Sequence, residues 1–221
     1  MVLNRASKKE AENRFSALRK QVVIHVFTHR FEDSLCRETR QLAEELAESS
    51  SRITVEINDA LESGDLLRKY RVDSIPAMVV TGKDAPECRI YGIPLAYAFP
   101  VLLDAVALVG TSIEPKPELV ELFRAHGEGE DEPSNASAHS VDLLVSRREA
   151  SCVEASAAFW RAILAERRCI GSSFLVGSIR IAEDFPRWSI QDDIGAFPLL
   201  LVGGKRVLSW PFADIEIADF L

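Results

Sequence analysis

The sequence lacks several features that would assign it to a class at once. It has no apolar run of about 18 residues, the length that a transmembrane helix requires. It has no excess of basic charge, since 26 Lys and Arg face 34 Asp and Glu and give a net charge of −8. Binding to nucleic acid or to an anionic membrane needs a basic face. We therefore expect neither nucleic acid nor a membrane as a partner.

Cysteine is also scarce and scattered. The four cysteines are Cys36, Cys88, Cys152 and Cys169, and no two of them form a CxxC pair. A disulfide scaffold or a zinc site built on cysteine pairs is therefore not expected, and the sequence predicts no metal site and no cofactor. Residues 1–20 are charged and lack the apolar stretch of a secretory signal. These features predict a cytoplasmic location.

What the chain does have is enough apolar material for two domains. Its 221 residues are 47% hydrophobic, and domains usually run to about 100–200 residues. Residues 126–140 (HGEGEDEPSNASAHS) are acidic and offer almost nothing to bury, so they cannot offset their ordering entropy by packing. We predict one domain at 1–112, a second at 113–221, and a flexible acidic segment at 127–139 within the second.

Hydrophobic periodicity predicts the same α/β order on both sides of that segment. Before it, the pattern predicts a helix with a capping box at Ser7 and Glu10, followed by these strands and helices: strand Gln21–Thr28, helix Ser34–Glu48, strand Arg52–Ile57, helix Leu61–Tyr70, strands Ala77–Thr81 and Cys88–Tyr91, and helix Ala96–Val109. After it, the predicted elements are strand Val141–Val145, helix Cys152–Arg167, strand Phe174–Ile181, a short helix over Phe185–Ile190, strands Pro198–Val202 and Arg206–Ser209, and helix Phe212–Leu221.

Three stretches of the first unit carry a family resemblance. They are VVIHVFTHRFEDSLCRETRQLAEELAE, LLRKYRVDSIPAMVV and CRIYGIPLAYAF, and GAFPLLLVGGKRV echoes them in the second unit. The chain resembles the glutaredoxin-like protein disulfide oxidoreductases and the N-terminal domain of the alkyl hydroperoxide reductase flavoprotein subunit. The resemblance implies an α/β fold of two tandem thioredoxin-like domains, each a mixed four-stranded sheet flanked by helices. Ile75-Pro76 and Phe197-Pro198 match the family's cis-proline positions.

The family's redox chemistry requires a CxxC pair at the start of a helix, where an exposed thiolate attacks a disulfide and the second thiol resolves it. In this sequence Asp33-Ser34-Leu35-Cys36 aligns with the first pair, so Asp33 replaces the attacking cysteine. The second site is ambiguous. If Glu154 takes the place of Cys36, then Trp160 and Leu164 correspond to Leu42 and Leu46, a better apolar face than the register shifted by one residue. That choice aligns Ser151-Cys152-Val153-Glu154, in which Ser151 and Glu154 occupy the cysteine positions.

Two functions from different classes follow. The first is a non-catalytic module that holds a protein or peptide in the cis-proline groove at Ile75 and Phe197; the flexible acidic segment would let the two modules hold one partner at raised effective concentration. The second is a single-thiol oxidoreductase that acts through Cys152 or Cys36. Whether the chain also forms a homodimer is left open.

Two histidines, His25 and His29, are also candidates for a functional or a structural role. His29 and Asp33 flank the predicted site turn as an acid/base pair or as solvated loop residues. His25 lies within a strand and is predicted to be a hydrogen-bonded core residue.

Overall fold

The computed structural model describes residues 2–29, 33–111, 114–121, 139–170, 175–185, 197–202 and 205–209. The predicted acidic segment at 127–139 and the predicted helices at 185–190 and 212–221 lie outside these residues, apart from His139 and Phe185. The side chain of Cys169 is also outside them.

The helices and strands follow the predicted order. The helices are α1 (Arg5–Phe15), α2 (Ser34–Ala47), α3 (Gly64–Lys69), α4 (Phe99–Gly110) and α5 (Ser151–Ile170), with 3₁₀ turns at Ala96–Ala98 and Ala182–Asp184. The strands are β1 (Val22–Thr28), β2 (Ile53–Asp59), β3 (Ala77–Gly82), β4 (Cys88–Tyr91), β5 (His139–Val145), β6 (Leu175–Ile181), β7 (Leu199–Val202) and β8 (Lys205–Ser209).

The start of α1 differs from the prediction. The N-cap is Asn4, whose side-chain Oδ1 accepts a hydrogen bond from the Ser7 N–H at 2.9 Å. The predicted capping box at Ser7 and Glu10 is therefore wrong, and the helix begins one turn earlier. An asparagine satisfies the exposed amides of a first turn as well as a serine does, so the sequence offered two competing caps.

All eight strands form one mixed sheet in the order β2-β1-β3-β4-β6-β5-β7-β8. In the first half, β1 pairs with β2 in parallel and with β3 antiparallel. In the second half, β5 pairs with β6 in parallel and with β7 antiparallel. The two predicted four-stranded units are thus confirmed as repeats of one topology.

The two units are joined edge to edge. Strand β4 of the first unit pairs in parallel with β6 of the second, with Arg89 opposite Ser178 and Tyr91 opposite Arg180. One buried apolar core runs across this junction, from Leu42 and Leu102 in the first unit to Phe159 in the second. The expectation of two modules on a flexible tether is therefore wrong, because strand pairing holds them side by side.

Because the two units are joined, helices α4 and α5 are each covered on two sides. Helix α4 is apolar almost throughout and packs against the first unit's sheet on one side and against α5 on the other. Helix α5 is likewise in contact with two neighbours, the strands β5 and β6 and helix α4. A helix covered on two sides needs apolar residues around most of its circumference. Among the described residues, no helix is both long and apolar enough to cross a bilayer.

An ionic cluster centred on the buried Arg180 ties the units together, with Asp142 buried and Asp73 exposed. Arg180 lies on β6, and its guanidinium donates to Asp142 on β5 at 2.8 Å and to both carboxylate oxygens of Asp73 in the first unit at 3.0 and 2.7 Å. The same guanidinium stacks 4.1 Å from the centre of the Tyr91 ring. Burial would lower the pKa of Arg180, but its hydrogen bonds to Asp73 and the charge of Asp142 outweigh burial and raise it. The guanidinium therefore stays charged.

Arg180→Met is expected to lower the free energy of unfolding by about 3–5 kcal/mol, because it leaves the Asp142 carboxylate buried without its partner. Urea denaturation would measure the change. Arg68→Met removes an ion pair that is exposed on both sides and should have little effect. Adding Asp142→Asn to Arg180→Met should recover part of the loss. Unchanged unfolding of Arg180→Met would contradict this role.

Candidate functional site

The candidate site lies along one edge of the sheet, here the edge formed by strand ends and not by an outer strand. Strands β1, β2, β4, β5 and β6 all run in the same direction, because β3 separates β1 from β4 with two antiparallel pairings. Their carboxyl ends therefore share an edge with the starts of β3 and β7. Both strand starts follow a proline turn, and the peptide bonds Ile75-Pro76 and Phe197-Pro198 are cis.

Helix α2 begins at this edge, and Asp33 is its N-cap. The Asp33 Oδ1 accepts a hydrogen bond from the Cys36 N–H at 2.8 Å. A carboxylate suits this position because the first amides of a helix are unpaired and carry partial positive charge. Cys36 itself is turned inward and is 1% exposed. The residue at the start of the helix is therefore a structural cap, and the thiol one turn later is covered.

His29, Asp33 and Cys36 come together around this turn. One potential ligand atom from each of them lies within 4.8 Å of the other two. From the sequence, His29 and Asp33 are a candidate pair without a third group, and Cys36 has no ligand set. In the structure Cys36 lies beside that pair, because the end of β1 and the first turn of α2 converge. The sequence signal was the spacing His-x₃-Asp-x₂-Cys across a predicted strand-to-helix turn.

Such a trio could hold a metal ion or activate a thiol. Around Zn²⁺, bonds of about 2.0–2.3 Å place tetrahedral ligand atoms roughly 3.5 Å apart, so these three side chains would have to close by about 1 Å. A histidine close to a cysteine can also act as its general base. Both uses require a metal ion or a substrate to reach the Cys36 thiol, which is buried.

The turn before β3 presents Ile75 at the same edge. Its side chain is half-buried against an apolar cluster that includes Phe27, Tyr70 and Tyr91. Among the described residues, neither the N–H nor the C=O of Ile75 makes a hydrogen bond. The next carbonyl, that of Pro76, accepts from the Gly92 N–H at 3.0 Å. The turn is thus anchored on one side while the main chain of Ile75 is left unpaired.

The loops between the two proline turns are bonded to one another. Arg147 Nε donates to the Ile93 carbonyl at 3.0 Å, its guanidinium also pairs with Asp184, and the Ile93 N–H donates to Asp184 Oδ2 at 2.7 Å. Gly92 has a φ of +86°, and a Cβ there would lie 2.5 Å from the Asp184 carboxylate. These contacts join the loops that follow β4, β5 and β6 to one another between the two proline turns.

In the second unit, Cys152 and Glu154 both lie in the first turn of α5. Cys152 is fully buried, and its Sγ accepts a hydrogen bond from the Ser146 N–H, just beyond β5, at 3.3 Å. Glu154 is exposed, and Phe159 and Ile163 lie directly over Gly177 of β6. Glu154 is thus exposed where Cys36 is buried. The choice between the two registers stays a prediction, because α5 is covered on two sides and both Trp160 and Leu164 are buried.

The two proline turns differ in their hydrogen bonding. The Phe197 carbonyl, which precedes Pro198, accepts a hydrogen bond from the Ser151 hydroxyl at 3.3 Å. No hydrogen bond reaches the Ile75 carbonyl from any described residue of the first unit. The second turn therefore has an internal partner for its carbonyl.

Burial also determines the pKa of two of the thiols, Cys88 and Cys152. It raises the pKa of Cys88 to about 12, and it raises the pKa of Cys152 to about 11 although the Ser146 N–H acts in the opposite direction. A thiol is nucleophilic only as thiolate. Cys88 and Cys152 are therefore protonated and unreactive near neutral pH.

His25 is a hydrogen-bonded core residue, as predicted. It is 6% exposed, and its Nε2 lies 3.0 Å from the Tyr70 hydroxyl and 3.2 Å from the Thr81 hydroxyl. Its Nδ1 lies 3.0 Å from a Glu56 carboxylate oxygen. Burial lowers the pKa of His25 below 6.5, against the opposing charge of Glu56. Its role is structural.

Known structures with the same architecture identify the fold. No family model and no curated protein matches the chain. The NTD_N/C domain of alkylhydroperoxide reductase AhpF from Enterococcus faecalis superposes with a TM-score of 0.81 at 19% identity, over 99% of each chain. A protein disulfide oxidoreductase from Aeropyrum pernix also gives 0.81, at 14% identity, over 98% of this chain and 91% of that one. The chain has a tandem thioredoxin fold.

The fold prediction made from the sequence is thereby confirmed over nearly the whole chain. At 14–19% identity the likeness concerns the fold alone. Because one fold can carry unrelated functions, function has to be argued from the site.

The pKa of His25 predicts a loss of stability in mild acid. Because the folded state holds the imidazole below its ordinary pKa of 6.5, the unfolded chain binds the proton more readily. The free energy of unfolding should therefore fall as the pH drops below about 6.5 towards the folded pKa. Urea denaturation between about pH 7.5 and 5 would show a smaller slope for His25→Gln than for the unaltered chain. Equal slopes would contradict the assignment.

The buried thiols predict slow alkylation. Iodoacetamide should label Cys152 and Cys88 of the folded protein far more slowly than a free thiol at pH 8, and unfolding in urea should bring both to the free-thiol rate. Mass spectrometry of peptides resolves the sites. Rapid labelling of Cys152 in the folded protein, with a midpoint below pH 8.5, would contradict the inference.

Proposed function

We propose that this chain is a protein-binding module that holds an extended apolar segment of a partner at the Ile75-Pro76 turn and performs no dithiol exchange. The observation that carries the proposal is the unpaired main chain of Ile75 beside a half-buried apolar side chain, at the edge where α2 begins. A cytoplasmic location remains part of the proposal.

An extended peptide fits the chemistry of this turn. The N–H and C=O of one residue in extended backbone can pair with a partner strand, and main-chain pairing of this kind gives affinity while neighbouring pockets give sequence preference. Ile75 supplies one apolar contact. Leu61, two residues beyond the end of β2 at the same edge, is 75% exposed and supplies another. A segment with apolar side chains is therefore preferred over a charged one.

The loss of dithiol chemistry does not remove this surface. No CxxC pair occurs in the chain, Asp33 caps α2 in place of an attacking thiol, and Cys36 is covered. The turn and its unpaired main chain depend on backbone geometry and on the anchors at Asp73 and Gly92. Binding can therefore persist where exchange cannot.

The joined sheet sets how the two turns can share a partner. Four strand spacings separate β3 from β7, which places the two turns about 19 Å apart at roughly 4.8 Å per spacing. The Phe197-Pro198 turn has already paired its carbonyl with Ser151. We therefore assign the main contact to Ile75-Pro76 and a secondary, mainly side-chain contact to Phe197.

A single-thiol oxidoreductase acting through Cys36 is the second candidate. The approach of His29 and Asp33 to Cys36 within 4.8 Å favours it, since a base beside a thiol can promote the thiolate. Its substrate disulfide would have to reach a side chain that is 1% exposed. The raised pKa of Cys152 argues against the same role in the second unit.

Ile75→Asp should abolish peptide binding. The probe is a set of extended peptides selected from a random library against the whole chain, with affinities measured by fluorescence anisotropy. We expect Ile75→Asp to weaken binding at least tenfold, because it places a charge in the apolar contact. Methylating the peptide nitrogen that faces Ile75 should weaken binding by about fivefold, because one lost hydrogen bond costs about 1 kcal/mol.

Two control variants separate the candidates. Ile57→Asp alters an isoleucine that is 42% exposed on β2, away from the turn, and should leave affinity unchanged. Cys36→Ser should also leave affinity unchanged if binding needs no thiol. Peptides whose retention depends on Cys36 and a reducible bond, while Ile75→Asp has no effect, would replace the first candidate by the second.

A further inference from the structure

A cavity of about 230 Å³ at the junction of the two units has an unusual lining. Four cationic side chains face it, together with the single acid Glu87. The cations are Lys69, Arg71, Arg89 and Arg167. The first unit supplies three of them and α5 of the second unit supplies the fourth. From this lining we infer that the cavity binds a small phosphate-bearing anion, such as pyrophosphate or the diphosphate of a nucleotide.

Three of the four cations in the cavity have no ion-pair partner among the described residues. Arg89 pairs with Glu87, but no ion pair joins Lys69, Arg71 or Arg167 to any residue of the described part of the chain. Acidic residues outnumber basic ones in the chain, which carries a net charge of −8. The lack of ion-pair partners for these three cations therefore does not reflect a shortage of acidic side chains. Three unpaired cations in one concave site repel one another, and a bound anion would offset that repulsion.

Arg71 occupies a position where its side chain is costly. It has a φ of 51° and follows the end of α3, where the Val72 N–H donates to the Leu67 carbonyl at 2.9 Å. Glycine or asparagine is the usual residue at this left-handed position after a helix. The Tyr91 hydroxyl donates to the Arg71 carbonyl at 3.3 Å and holds the residue in place. The guanidinium of Arg71 thus lines the cavity although its backbone conformation favours glycine or asparagine.

Arg89 forms a fixed wall of the cavity. Its side chain is 6% exposed, and its Nε donates to the Tyr70 carbonyl. Lys69 is also placed by Tyr70, with its ammonium 4.7 Å from the centre of the ring. Three guanidinium groups favour phosphate because their paired N–H donors match its oxygens. The small volume suits a diphosphate group and excludes a folded segment of another protein.

Ligand binding here would link the two units. The lining includes Arg89 on β4 and Gly177 on β6, on either side of the strand pairing that joins them. A ligand that binds only the folded junction raises the unfolding temperature by mass action. The inference does not depend on the peptide-binding proposal, since Ile75 does not line this cavity.

Isothermal titration with inorganic pyrophosphate tests the site on the whole chain at 0.15 M ionic strength. We expect saturable binding with one site per chain and an upward shift in the unfolding temperature. Arg71→Gln and Arg167→Gln should each weaken binding at least tenfold. Arg68→Gln, on the same helix as Lys69 but paired with the exposed Asp65, is the matched control and should bind like the unaltered chain.

Three results would overturn the inference. One is no saturable binding by the unaltered chain. Another is an equal loss of affinity in Arg68→Gln and Arg71→Gln, which would indicate nonspecific attraction. The third is citrate binding as tightly as pyrophosphate, which would exclude a preference for phosphate. Circular dichroism and the unfolding temperature without ligand show that each variant is folded, and both Arg71 and Arg167 are at least partly exposed, so folding should survive.

Discussion

The buried guanidinium of Arg180 is the contact on which the arrangement of the molecule depends. It belongs to the second unit, yet it holds Asp73, which lies two residues before Ile75 in the first. A buried cation is tolerated only when it is fully paired, because its desolvation costs several kcal/mol. Asp142, Asp73 and the Tyr91 ring satisfy that need together. The position of the first proline turn is therefore set partly by the second unit.

The two proline turns lie beside helix starts that offer no exposed thiol among the described residues. Asp33 caps the first turn of α2 through the Cys36 amide, and both Cys36 and Cys152 are buried. In the second unit, the Ser151 hydroxyl turns inward to the Phe197 carbonyl. The two repeats thus share one topology and differ in what they offer to a partner. The first leaves main-chain groups unpaired, and the second satisfies its carbonyl internally.

The wrong and the ambiguous predictions made from the sequence share a physical origin. A short β-branched or apolar run predicts a strand such as β1 or β4. The predicted and observed ends of both strands agree to within one residue. The phase of α5 stays ambiguous because a helix covered by both a sheet and α4 is apolar on two sides, so the burial of Trp160 and Leu164 does not mark the side that meets the sheet. The capping box failed because Asn4 competes with Ser7 for the same role. Both cases concern a choice between two locally acceptable arrangements.

By itself the sequence determined the repeat of α/β units, the absence of a CxxC pair and the two proline turns, because these depend on local residue patterns and on a recognisable order of motifs. The tertiary structure alone decided that β4 pairs with β6, that His29, Asp33 and Cys36 converge, and that four cations from both units face one cavity. These are contacts between residues far apart in the chain or across a turn. Their formation depends on how strands and helices pack together, which no local pattern encodes.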